Sequence, residues 1–279
     1  MAVAASIEIP PARVLEMQDL AAVLPKGVRV YLPELGTDNN ETFVAAACAL
    51  RAIGAEPVPH LAARRIASHA ALEARVARLA SEAGVTDVLV LAGSPPSPEG
   101  PFADSMKILE TGVLDRHGIT HIGVAGHPEG SPHFTDEVVQ NAMRWKADFA
   151  MRSDAEMRIV TQFGFDVAGM VRWSEEIAAS GITLPVHLGF AGPTKLRAML
   201  RYARSCGVGP SMQVLTSRGN ALLRLFAGYA PEPLVRELET ALARMKTGNI
   251  AQIHLYPFGG SERTANWLRA RGSWPEISA

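Results

Sequence analysis

Short apolar runs alternate with amphipathic stretches from one end of this 279-residue chain to the other. That alternation constrains the fold more than any other feature. Residues 6–9, 28–32, 56–60, 87–91, 120–124, 158–162, 184–188 and 251–255 read as strands, and glycine or proline often punctuates their ends. Between them, residues 12–23, 41–53, 69–83, 103–115, 136–151, 167–179 and 194–206 read as helices. A two-helix stretch over 217–246 precedes the last strand, and a helix over 261–271 follows it. Strands alternating with helices predict a parallel sheet. Eight strands in a chain near the usual length of about 250 residues predict an α/β fold of the (β/α)8 TIM-barrel type. The expected domain is single and spans 1–279. A doubly wound open sheet is the rival, weakened because no G-x-G-x-x-G follows the first strand.

Hydrophobic residues make up 48% of the chain and charged residues 20%, enough apolar side chain for a full core. The net charge of -1 carries no electrostatic footprint for nucleic acid or an anionic membrane. No run approaches the ~20 apolar residues of a membrane span. The first residues lack the basic start and long apolar core of a signal peptide, so a cytoplasmic location is expected. Cys48 and Cys206 lie in helix-like segments and read as small buried hydrophobes, not a disulfide. Without a Cys pair, H-E-x-x-H or close His/His spacing, no metal is expected. No G-x-S-x-G marks a serine nucleophile. The apolar stretches 41–53 and 217–226 leave a homo-oligomer open.

Chemistry in such barrels sits at the C-terminal strand ends. There the sequence places Glu8, His60, Gly93, Ser94, His127, Glu129, Gln162, His187, His254 and Tyr256. Each also has a structural reading. Glu8 alternates with Ile7 and Ile9 and would simply face the other way. His60, His187 and His254 would be hydrogen-bonded core histidines. Gln162 would cap a barrel layer, and Tyr256 would pack with a wet hydroxyl. Several polar groups converging at one rim favour a site. The proline-rich loop 93–101 suits a rigid pocket wall.

The segments Ser6-Ile7-Glu8-Ile9-Pro10-Pro11, Val58-Pro59-His60-Leu61, Gly123-Val124-Ala125-Gly126-His127-Pro128-Glu129-Gly130, Thr161-Gln162-Phe163-Gly164-Phe165-Asp166 and His254-Leu255-Tyr256 follow one another along the chain. In this order they resemble the methylenetetrahydrofolate reductase family in its short, single-domain bacterial type. The third and fourth are the most specific, and the resemblance runs over nearly the whole chain. It implies an oxidoreductase that interconverts 5,10-methylene- and 5-methyltetrahydrofolate, with NADH or NADPH as electron donor and FAD as hydride carrier. It implies Glu8 as general acid, Gln162 and Tyr256 at the folate, and Leu196 at the position of a substrate-packing phenylalanine. Toward FAD it implies His60, Gly93, Ser94, Phe102, Ala103, His127, Glu129 and Lys146. Ser94 also stands at the catalytic aspartate of the family's Arg-Gly-Asp, which here reads Ala92-Gly93-Ser94. The family's tyrosine after strand five is His127, and its later histidine is Ser131. Losing a carboxylate beside a flavin would raise its potential. Losing the arginine would weaken its phosphate bonds unless a helix starting at 193–195 compensates. Two alternatives stay open: a flavin-free member with direct hydride transfer, and a non-catalytic folate-binding partner subunit.

Overall fold

The computed structural model describes residues 2–131, 134–195, 228–245, 247–258 and 260–276. All eight expected strands form. They are β1 (Ala5–Glu8), β2 (Arg29–Leu32), β3 (Glu56–Ala62), β4 (Asp87–Leu91), β5 (His121–Gly126), β6 (Glu156–Phe163), β7 (Val186–Ala191) and β10 (Ile250–Tyr256). They close into a barrel in the order β1-β10-β7-β6-β5-β4-β3-β2. The chain therefore has the (β/α)8 fold. A separate two-stranded ribbon joins β8 (Thr194–Lys195) to β9 (Gly228–Tyr229).

The helices among the described residues are α1 (Pro11–Glu16), α2 (Asn40–Ala52), α3 (His69–Ala83), α4 (Ser105–Leu109), α5 (Val113–Arg116), α6 (Asp136–Met151), α7 (Val167–Ala179), α8 (Glu232–Leu242) and α9 (Ser261–Ala270). Caps written in the sequence fix several starts. Asn39, Ser68 and Asp166 accept from the backbone N–H of Thr42, Ala71 and Gly169 at the heads of α2, α3 and α7. Gly84 ends α3 at φ 58, a left-handed conformation that glycine adopts without a Cβ penalty.

Three expected helices differ. The 12–23 helix stops at Glu16, because Asp19 turns back to accept from Ala22 N–H at 3.0 Å. The 103–115 helix breaks into α4 and α5 at Gly112, φ 65. Thr194 and Lys195 form β8 rather than the expected helix start, and the rest of the 194–206 segment lies outside the described residues. Of the 217–246 stretch, α8 is helical and Gly228–Tyr229 is strand. Leu196, Cys206 and residues 217–226 lie outside the described residues. Cys48 is half-buried rather than buried, with its thiol directed at Glu82 O. The apolar face of α2, with Phe43, Val44, Ala46, Ala47 and Leu50, is buried within the chain. No helix among the described residues is long and apolar enough to cross a membrane.

The chain divides into two compact units. One comprises Glu8–Ala125 and Asp148–Arg158. In it, the N-terminal ends of β2 and β4 and the start of β6 carry a buried charge network. Arg158 donates to Asp87 at 2.7 Å and to Tyr31 Oη at 2.9 Å, and Arg29 donates to Asp87 at 3.0 Å. Burial pushes the Tyr31 phenol up to about 12. The other unit comprises Met1–Ile7, Gly126–Ala147 and Ile159–Glu276. Ser6 Oγ lies 2.9 Å from His254 Nδ1, and Gln252 Nε2 reaches both Ser6 Oγ (3.1 Å) and His187 Nδ1 (3.0 Å). His187 and His254 are thus hydrogen-bonded core histidines.

Candidate active site

Strand alternation positions Glu8. Ile7 and Ile9 are fully buried, so the carboxyl between them takes the opposite face at the strand's C-terminal end. Its side chain keeps 18% exposure, and Oε2 stands 3.6 Å from His60 Nε2. Burial raises the Glu8 pKa, and His60 opposes that rise. The result is a carboxyl that holds its proton to higher pH than a free glutamate. His60 is fixed in turn. Its ring meets Tyr31 edge-on at 6.1 Å, and its carbonyl accepts from Arg75 Nη2 at 3.2 Å. Arg75 lies over the Phe43 ring and pairs with Glu34 at 2.5 Å, both side chains under a tenth exposed. Sequence reading missed Glu34 and Arg75, because the partners are 41 positions apart and neither sits in a motif.

In the same unit the loop after β4 is stapled to the 3-10 turn Ala63–Arg65. Arg64 N–H donates to Ala92 O, and Arg64 O accepts from Glu99 N–H. The Arg64 guanidinium reaches Ala103 O at 2.8 Å and Pro95 O at 3.1 Å. Ser94 is exposed, and its Oγ accepts from Arg65 at 3.4 Å. Gly93 takes φ 87. Phe102 is 1% exposed, its ring edge-on to His69 at 4.8 Å. Ala103 is exposed.

A flavin diphosphate needs charge-assisted donors free to receive it. Here both Arg64 bonds go to the loop's own carbonyls, the family arginine is Ala92, and Phe102 is sealed inside. Arg64, Ala92 and Phe102 therefore do not fit the adenosine-diphosphate arm of FAD.

In the other unit, Gln162 sits where the register of β6 against β7 shifts between Val160 and Phe163. Bulges of this kind re-aim side chains beside active sites. Gly189 makes room for it: a Cβ there would lie 2.6 Å from both Thr161 O and Gln162 O. Thr161 Oγ1 accepts from Gly189 N–H at 2.9 Å, and Tyr256 Oη donates to Thr161 O at 2.9 Å. Gln162 is half-buried, its Oε1 3.3 Å from Phe163 N. Tyr256, Phe163 and Phe258 pack as an aromatic cluster beside it. Glu129 lies against Gly164, where an added Cβ would come within 2.9 Å of its Oε1.

His127 and Lys146 also belong to this unit. Lys146 is buried at 5% exposure. Burial lowers the His127 pKa from 6.5 to about 4, and the Lys146 ammonium adds to the effect. A histidine depressed in the folded state stabilises the fold above its unfolded pKa and loses that contribution as pH falls. The shift corresponds to about 3 kcal/mol. Thermal melts from pH 6.5 down to 4 are expected to show this loss, and His127→Gln is expected to flatten it. A wild-type slope in the variant would mean that His127 stays solvated.

Residues 13–214, well over half the chain, match the family described as methylenetetrahydrofolate reductase. The chain belongs to that family of enzymes. The 5,10-methylenetetrahydrofolate reductase of Pectobacterium carotovorum subsp. carotovorum is 22% identical over 288 aligned positions, covering 98% of this chain and 91% of that protein. Methylenetetrahydrofolate reductase 2 of Saccharomyces cerevisiae is 26% identical over 194 residues, 63% of this chain and 30% of that protein. Methylenetetrahydrofolate reductase 1 of Schizosaccharomyces pombe is 29% identical over 136 residues, covering 46% and 22%. The chain thus spans less than a third of the length of the two yeast relatives.

Proposed function

We propose that this reductase-family chain interconverts 5,10-methylenetetrahydrofolate and 5-methyltetrahydrofolate, with Glu8 as the proton donor. The observation that carries the reading is the Glu8 carboxyl at a strand's C-terminal end, 3.6 Å from His60 and still reached by solvent, with burial raising its pKa. In the reducing direction Glu8 gives its proton to the folate nitrogen that leaves the methylene carbon. The five-membered ring opens to an iminium. A hydride then adds to that carbon and makes the methyl group. One hydride and one proton are consumed, and the nicotinamide is oxidised. Gln162 holds the pterin, since an amide both donates and accepts. Tyr256, packed beside it, lines the folate pocket.

The hydride comes directly from NADH or NADPH. The poor fit of Arg64, Ala92 and Phe102 to a flavin's diphosphate favours this route over one through FAD. The test uses purified protein, both nicotinamides, and a donor deuterated at the transferred position. A colourless protein that delivers deuterium into the methyl group is expected. A yellow protein that washes the label into water restores the FAD route, because a reduced flavin exchanges its nitrogen-bound hydrogen with solvent. No oxidation of either nicotinamide by methylenetetrahydrofolate would leave only a folate-binding partner role.

A further inference from the structure

Three guanidinium groups follow β3 along its turn and α3, and two are held by carboxylate or carbonyl partners. Arg75 is paired with Glu34 and bound to His60 O. Arg64 holds Ala103 O and Pro95 O. Arg65 is different. Among the described residues it has no carboxylate partner, and its one side-chain hydrogen bond is the long contact to Ser94 Oγ at 3.4 Å. Its Nε, like that of Arg75, is sealed from solvent and has no acceptor, but among the described residues no carboxylate faces its guanidinium as Glu34 faces Arg75. The group rests where residue 36 has no side chain. A Cβ on Gly36 would fall on the guanidinium, and Gly36 takes φ 77, a conformation that disfavours any other residue. Where the resemblance expects an aspartate, Ser94 leaves this cation uncompensated.

A partly buried cation without a counter-charge is costly unless an anion joins it. We propose that Arg65, seated on Gly36 beside Ser94, is an oxyanion-binding subsite at the C-terminal end of β3. The inference deepens the proposed reaction, because both reactants carry oxyanions: phosphates on the nicotinamide dinucleotide, and carboxylates on the folate's glutamate tail. A planar fork of donors suits either group in a bidentate bond.

The experiment measures binding to wild type, Arg65→Gln and Arg65→Lys, with melting curves to show that each is folded. The probes are adenosine 2′,5′-bisphosphate, 5-methyltetrahydrofolate with one or three glutamates, and inorganic pyrophosphate. A charge-assisted bond of this kind corresponds to a loss of about ten- to a hundred-fold in affinity. That loss is expected in Arg65→Gln, with a smaller one in Arg65→Lys, which keeps the charge but not the fork. Loss confined to the bisphosphate assigns the subsite to the dinucleotide. Loss that grows with glutamate number assigns it to the folate. Pyrophosphate requires neither reactant, so a loss there upholds the subsite even if the folate reaction itself fails. Gly36→Ala tests the same site by displacing the guanidinium while keeping its charge. Equal affinity of wild type and Arg65→Gln for every probe, or no binding of any probe by wild type, overturns the proposal.

Discussion

Glu8→Gln is expected to lower folate reduction by roughly 10²–10⁴-fold, the usual contribution of a positioned general acid. Glutamine keeps the side chain's shape and cannot donate the proton that opens the ring. The pH dependence should follow. Burial lifts the Glu8 pKa above its ordinary 4.5, so wild-type turnover falls as pH rises through that lifted value. The variant lacks this limb. Stability separates a lost acid from a lost fold. A group whose folded pKa is raised stabilises most below its unfolded pKa, and that contribution disappears as pH rises through the folded one. At neutral pH the uncharged glutamine therefore carries no cost of burying a carboxylate. The variant is expected to melt no lower than wild type. Wild-type turnover in Glu8→Gln would remove this residue from the chemistry.

Asp87→Ala is expected to produce the largest stability loss, about 3–5 kcal/mol, because it leaves the buried Arg158 guanidinium without its counter-ion. Arg158 is held by Asp87 at 2.7 Å, and both side chains are 6% exposed. Arg29 loses a partner too, but its side chain is 36% exposed, so water replaces much of what it loses. A chain of this size should melt roughly ten degrees lower. Urea titration of wild type, Asp87→Ala and Asp87→Asn checks the result. An unchanged midpoint in Asp87→Ala would mean that water reaches Arg158. Catalysis below the melting range should persist, since Asp87 begins β4 at the N-terminal end, away from the carboxyl-terminal ends that bear Glu8 and His60.

Short apolar runs between amphipathic stretches made all eight strands legible in the sequence, and period-two alternation did so for the facing of Glu8, because one residue's orientation fixes the next. Helix ends were harder. The break at Gly112 and the early stop of α1 depend on local competition, a positive φ and an aspartate folding back on its own turn, which apolar periodicity does not register. The 193–195 segment carries a proline and a threonine suited to a helix start, yet its ribbon pairing with Gly228–Tyr229 is a long-range choice. In the same way Arg64 and Arg65 are an unremarked doublet as letters. Only the loop that folds over them distinguishes the one bonded to carbonyls from the one left beside a serine.

The bare position at Gly36 has a bearing on how such chains can change over time. Arginine at 65 and the missing methyl at 36 are one feature written in two places, 29 positions apart. A lineage that gains a side chain at 36 evicts the guanidinium, and one that gives up the arginine frees 36 to vary. A carboxylate returning at 94 would silence the same cation without touching either. These three positions are expected to drift as a set, and a homologue's letters at them should foretell its salt sensitivity before any assay is run.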